Sequence, residues 1–272
     1  MRKVYFFSHF FLSNNILNFT SKNDTTNMKS IYIKEINSFL SGLAGYIVFI
    51  VFGLAAGLFL WVLPDTNFMD YGYASMELYF EFIPWLLLFL IPAITMRSFA
   101  EEFNKGTIEW LATKPISNIQ IILGKYLSSV TLVVIALLPT LIYAFSIHYL
   151  ALDSNSLDGG ALLASFLSLL FLVGSFTAIG VFCSTLATNQ IVSFLLALFL
   201  CFIFYAGFDS FSRIPGVRGG LDYYLGLFGI EYHYNTMITG LVSLRDVLYF
   251  LALIFLFLMA TRFSLTWKFL KS

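Results

Sequence analysis

Three histidines, two cysteines and a few short runs of Glu and Lys are the residues of this chain whose types and spacing could do chemistry. His9, His148 and His233 are scattered, and no Ser/His/Asp or H-E-x-x-H arrangement surrounds them, so no hydrolytic nucleophile follows from their spacing. Cys183 and Cys201 both fall in apolar stretches, where a thiol acts as a small buried hydrophobe. No Cys/His metal spacing and no disulfide framework can be read from them. Gly124-Lys125 lacks a glycine five positions earlier and is followed by Tyr126, so the glycine-rich loop that cradles nucleotide phosphates is missing. The richest polar run is R-S-F-A-E-E-F-N-K-G-T-I-E-W-L-A-T-K-P, residues 97–115. On a helix Phe99 and Phe103 share one face while Glu101, Glu102 and Lys105 are polar. Gly106 interrupts that helix, Thr107 is placed to cap a second one, and Glu109 in its first turn meets the positive end of the helix dipole. Pro115 ends it. Ser117-x-x-Gln120 is a capping box, with Ile116 and Ile121 as its hydrophobic staple. The spacing predicts a short, charged helical elbow.

The elements that hold this elbow are apolar. The chain is 59% hydrophobic and 11% charged, with a mean hydropathy of +0.86, against about 25% charged residues in soluble domains. A soluble fold of this size could not hide so much apolar surface, so lipid is part of the solvent. Runs of about 20 apolar residues are the unit of a membrane-spanning helix. They predict spans at Leu43–Leu63, Leu78–Met96, Tyr126–Tyr149 and Val247–Phe263, with two more inside the uncharged stretch Ala161–Phe208. The turn dividing that stretch is expected near Ser184–Gln190. Residues 1–27 read as a leader or misassigned start, since Ser13–Asn27 is polar without a small-x-small cleavage site. Met28–Ser272 is expected to form one six-span domain. Gly53-x-x-x-Gly57 is a candidate site of close helix contact. Pro84 and Pro92 are candidate bends. Trp61, Trp85, Tyr71, Tyr73, Tyr79 and Trp267 are expected to anchor at the membrane–water interface.

Sidedness follows from the basic residues. With the N-terminus inside, only Arg213, Arg218 and Arg245 of the 15 Lys and Arg fall outside, so both termini are expected to be cytoplasmic. The formal net charge is zero, and nothing in it indicates a nucleic-acid partner. The interiors of the six predicted spans lack Asp, Glu, Lys and Arg; Glu77, Glu81, Arg97 and His148 sit at or near their ends. A proton- or sodium-driven carrier ordinarily needs an ionisable group near the midplane, so a channel or secondary carrier is disfavoured. If the chain moves a solute, the energy arrives from another subunit.

The stretch F-A-E-E-x-x-x-G-T-I-E-x-L-x-x-x-P followed by G-K-Y-L, between the second and third spans, resembles the membrane subunit of ABC-2-type transporters. Met28-K-S-I-Y-I-Lys34-Glu35 resembles that family's amphipathic helix before span one, and residues 240–250 resemble its approach to span six. The chain is also similar to the gliding-motility-associated permeases within that family. The resemblance implies an ATP-driven exporter working in the cell inner membrane. It implies that Arg97, Glu101, Glu102, Gly106, Thr107 and Glu109 form the elbow that meets a cytoplasmic ATP-binding subunit. A second membrane subunit, the same chain or a related one, is implied as partner. No catalytic site, metal or cofactor is expected on this chain, because ATP is used by the partner. The segment Asp209–Asp246 would form interfacial or re-entrant helices, with Tyr223, Tyr224, Tyr232 and Tyr234 at the interface. A non-transporting membrane scaffold of a motility or secretion machine is the alternative.

Overall fold

A computed structural model describes residues 28–64, 67–68, 75–107, 116–150, 159–212 and 226–271. Among them every regular element is a helix, and six helices are long and apolar enough to cross a membrane. The chain is thus an all-α, multi-pass membrane protein. Helix α1 (residues 28–40) precedes α2 (Leu43–Trp61), the first crossing. The second crossing is α3 (Glu77–Thr95), continued by the short α4 (Ala100–Asn104). The third is α5 (Asn118–Leu137) joined to α6 (Leu141–Leu150) through one 3₁₀ turn. The fourth is α7 (Gly159–Leu186). The fifth is α8 (Gln190–Phe202), a π turn (Ile203–Gly207) and α9 (Phe208–Ser212). After α10 (Ile230–Ile238), α11 (Leu244–Lys271) makes the sixth.

The boundaries follow local chemistry. At the start of α5, Gln120 donates its backbone N–H to Ser117 Oγ (3.4 Å) while Ser117 N–H donates to Gln120 Oε1 (3.0 Å), the reciprocal cap read from the sequence. That cap starts the helix two turns before the purely apolar run at Tyr126. Span four ends at Leu186 and span five opens at Gln190, where Asn189 accepts from the Ile191 N–H (2.8 Å); the predicted turn is where polarity concentrates. Pro84 and Pro92 lie within the single helix α3. Span three is the one broken at a proline: Pro139 sits in the 3₁₀ turn Leu138–Thr140, because proline lacks the N–H that the α ladder needs.

Helix α7 is the hub, packing against α3, α5, α8, α10 and α11. Small residues set its approach. A Cβ on Gly180 would collide with the Thr95 side chain, and one on Gly174 would reach 3.1 Å from Tyr126 Oη. The G-x-x-x-G of α2 is not such a seam within the chain. A Cβ on Gly53 would meet nothing within 4 Å, and one on Gly57 only Tyr143 at 3.7 Å.

Ile31 of α1, Phe99 beside α4, Ile121 and Ile122 of α5, Val181 of α7 and Leu265 of α11 form one apolar cluster, with Ile116 packed against it. Helix α1, the elbow and the last turns of α11 therefore share one end of the bundle, the elbow end. Three aromatic expectations change. Tyr79 is fully buried, with its hydroxyl 2.7 Å from Thr140 Oγ1, so it ties spans two and three together rather than marking an interface. Tyr234 is equally buried and donates to the Phe80 carbonyl at 2.7 Å. Trp267 is exposed near the end of α11, whereas Trp85 is exposed midway along α3 with its ring edge-on to Tyr205. Tyr71, Tyr73, Tyr223 and Tyr224 lie outside the described residues, as do residues 1–27.

Candidate functional site: the charged elbow

A five-residue helix cannot hold itself together in water, so α4 must be fastened at both ends. Its C-terminus closes on Gly106, whose φ of +66° is a conformation glycine adopts without penalty. Gly106 N–H donates to the Phe103 carbonyl (3.3 Å) and Thr107 N–H to the Glu102 carbonyl (3.0 Å), the paired bonds of a Schellman ending. Thr107 Oγ1 also reaches back to Glu102 O at 3.5 Å. The bonds of Thr107 among the described residues finish the preceding helix, and the helix it is expected to cap lies outside them. Glu109 and the rest of residues 108–115 lie outside the described residues.

The two glutamates of the elbow face different ways. Glu101 pairs with Lys105 (2.6 Å) and Arg97 (3.6 Å), and its side chain is 28% exposed. Glu102 turns inward, 13% exposed, and its Oε1 lies 3.0 Å from Lys125 Nζ. Lys125 is 1% exposed. Its ammonium also meets Glu35 Oε1 of α1 at 2.9 Å and donates to the Ser98 carbonyl, with the Phe99 ring centroid 5.0 Å away. Three acceptors for three N–H donors satisfy the group fully, as a buried cation requires. The exposed Lys34 adds a second cation, 3.5 Å from Glu102 and 3.9 Å from Glu35. Two carboxylates and two ammonium groups then balance in charge. Together they tie α1, α4 and α5 at one point.

The neighbours of Lys125 explain G-K-Y-L. Gly124 lets α1 approach, since a Cβ there would lie 3.0 Å from Ile31 Cγ2 and 3.3 Å from the Met28 carbonyl. Tyr126 Oη donates to the Gly174 carbonyl of α7 at 3.2 Å. Ser128 and Ser129 both donate to the Lys125 carbonyl (2.8 and 2.9 Å). A cleft of about 100 Å³ opens beside the cluster, lined in part by Glu35, Ser38, Arg97, Glu101, Ser128 and Ser129.

The structure thus brings Arg97, Glu101, Glu102, Gly106 and Thr107 to one end of the bundle. The sequence reading missed Lys125, Glu35 and Lys34 as members of the same group. Lys125 and Asp246, which precede the apolar runs of spans three and six, are buried in the opening turns of the helices Asn118–Ile147 and Leu244–Lys268. Those helices begin earlier than the apolar runs, because Ser117 and Ser243 start them. Among the described residues no group of His, Cys, Asp and Glu could hold a metal ion.

No curated protein matches this chain in sequence. Residues 62–258 match the family described as ABC-2 family transporter protein. The match runs from the end of α2 into α11 and takes in the elbow, the buried lysine and all of the hub helix, most of the chain. With six membrane-competent helices arranged around that elbow, the chain belongs to the ABC-2 transporter family of membrane permeases.

Proposed function

We propose that this permease is the transmembrane subunit of an ATP-driven exporter and that its elbow is where a separate ATP-binding subunit docks. The observation that carries this reading is the Lys125 cluster. A displacement of α4 by a docked partner is passed through Glu102 to Lys125 on span three and through Lys125 to Glu35 on α1. In this reading Glu102 is an internal anchor. Glu101, Lys105 and Arg97, all partly exposed, are the groups that face the partner, with Glu109 beyond them. The elbow end is cytoplasmic, consistent with the bias of Lys and Arg toward it, and the membrane is the inner one. A second membrane subunit, this chain again or a related one, completes the assembly. ATP is held and hydrolysed by the partner, and this chain binds no cofactor. The resemblance to gliding-motility permeases makes gliding the process in which a deletion is expected to show.

The test is affinity purification of the tagged chain from native membranes, with mass spectrometry and an ATPase assay on what is recovered. A subunit carrying a phosphate-binding loop should accompany the wild-type chain and be lost with Glu101→Lys, while Glu101→Lys inserts normally. Recovery of the chain without such a subunit would overturn the reading and favour the scaffold alternative.

A further inference from the structure

The cleft beside the elbow has walls of two chemistries. Phe39, Ile94 and Leu132 give it an apolar side, while Glu35, Arg97, Ser128 and Ser129 line it with polar groups. Its volume of about 100 Å³ is far below the ~300–1,000 Å³ of a site for a drug-sized ligand, so it suits a small head group. Arg97 carries five N–H donors and makes no hydrogen bond among the described residues. Its Nε stands 3.6 Å from Glu101 Oε2, and Glu101 has a shorter partner in Lys105 at 2.6 Å. Among the described groups here, Lys34, Lys105, Lys125 and Arg97 face only Glu35, Glu101 and Glu102. Arg97 is therefore the cation left over.

The neighbouring elements set the depth of the cleft. Asn37, Ser38 and Ser41, at the end of α1, are exposed and polar. Leu43, Tyr46 and Ile47, in the first turn of α2, are exposed and apolar. The hydrocarbon therefore begins at Gly42. Helix α3 runs 19 residues to Thr95, about 28 Å at 1.5 Å per residue, which matches a ~30 Å hydrocarbon core. Arg97 follows just past its end. The two boundaries meet, since a Cβ on Gly42 would lie 4.0 Å from Arg97 Nη1, and both residues line the cleft. It thus opens at the level of the lipid head groups. Arginine N–H groups at that level match the oxygens of a phosphate diester. The acceptors beside them are Glu35, whose ion pairs use Oε1 and leave Oε2 without a hydrogen bond among the described residues, and two serine hydroxyls. Ser128 and Ser129 give their hydrogens to the Lys125 carbonyl and still accept through their lone pairs. A phosphate with N–H donors a short stem away satisfies both sides.

We propose that this cleft binds the phosphoethanolamine head group of a membrane lipid, with the phosphate on Arg97 and the ammonium against Glu35, Ser128 and Ser129. The Nε edge of Arg97 stays with Glu101 on the side offered to a partner, and its terminal nitrogens serve the lipid. The test is native mass spectrometry of the full chain released from nanodiscs of phosphatidylglycerol that carry equal amounts of phosphatidylethanolamine and phosphatidylcholine. Those two lipids share charge and phosphate and differ in the N–H donors of the head. The chain should retain phosphatidylethanolamine over phosphatidylcholine by about tenfold. Arg97→Gln removes the phosphate donors, and Ser38→Leu plugs the rim from an exposed position on α1. Each should bring the ratio near one, and Ser38→Leu carries the test if Arg97→Gln fails to insert. Equal retention of the two lipids by the wild-type chain, or a wild-type ratio in an inserted variant, would overturn the site. Phosphatidylglycerol retained ahead of phosphatidylethanolamine would make it a plain anion site and overturn it too. Millimolar inorganic phosphate should leave the ratio unchanged; loss of the ratio would make the ligand a free phosphate rather than a lipid. No ATP-binding subunit enters this measurement, so its outcome is separate from that of the permease reading.

Discussion

Glu101 and Glu102 are adjacent in sequence and opposite in circumstance, and the difference predicts opposite phenotypes. Glu102 and Glu35 share the buried Lys125. Removing the lysine leaves these two carboxylates with only the longer contacts of the exposed Lys34. Lys125→Met should therefore cost about 3–5 kcal/mol, read as a lowered thermal midpoint of the purified chain in nanodiscs. Replacing all three members with apolar groups, Lys125→Met/Glu35→Leu/Glu102→Leu, should recover most of that loss, because no unpaired charge remains. A triple variant as unstable as the single one would show that packing around the lysine, not charge balance, holds the cluster. Glu101 lies where water screens it, and its pair with the exposed Lys105 is worth about 0–1 kcal/mol. Glu101→Gln should leave the thermal midpoint nearly unchanged and reduce recovery of the ATP-binding subunit. A fall in stability comparable to Lys125→Met would remove the distinction between the two glutamates.

At the scale of elements, the elbow works because α4 is too short to choose its own position. The Schellman ending at Gly106, the tether to Lys125 and the apolar grip of Phe99 in the cluster with Ile31 and Leu265 fix it from three sides. Gly106→Ala asks an L residue to hold φ near +66°, which costs about 1–2 kcal/mol, while the space around that Cβ is open. Exchange at residues 100–107 should accelerate by about tenfold, with the spans untouched; unchanged exchange would mean that the tether alone positions α4. The sequence made part of this legible. Gly106 as interrupter, Phe99 opposite the charged face and the Ser117–Gln120 cap are local signals, each read within four residues. The clasp of Thr107 onto Glu102 was not legible, because a threonine after glycine reads equally well as the start of the next helix. Nor was the fate of Lys125. Its acceptors sit 90 residues away on α1 and 23 away on α4, and a lysine before an apolar run looks like a snorkelling end residue. Tyr79 misled for the same reason. Its position marks an interface, and only packing shows that it faces span three.

For the whole molecule, six apolar runs made the helical architecture legible, because a bilayer leaves a helical span few alternatives. What hydropathy does not reveal is how each end is fastened. An even number of crossings puts α1, the elbow and the last turns of α11 together, and the cluster around the buried Lys125 fastens that end. The opposite end is held by apolar contacts, the Tyr234–Phe80 hydrogen bond and the buried contact of His233 with Asp246 across α10 and α11. The two ends are fastened by different contacts, and the direction in which the elbow faces decides whether a cytoplasmic partner can reach it. If the elbow end is cytoplasmic, an ATP-binding partner can reach α4 and act through Glu102 on Lys125, as the permease reading requires. Lys105 and Asn235 are exposed at the two ends, while Cys183 and Cys201 are buried, so cysteine labelling in intact cells discriminates the sides. With both native cysteines replaced by alanine, Asn235→Cys should react with a membrane-impermeant maleimide from outside, and Lys105→Cys only after the membrane is opened. The reverse pattern would put the charged elbow outside, where no ATP-binding subunit could reach it. Labelling of both positions from one side would instead break the six-crossing arrangement itself.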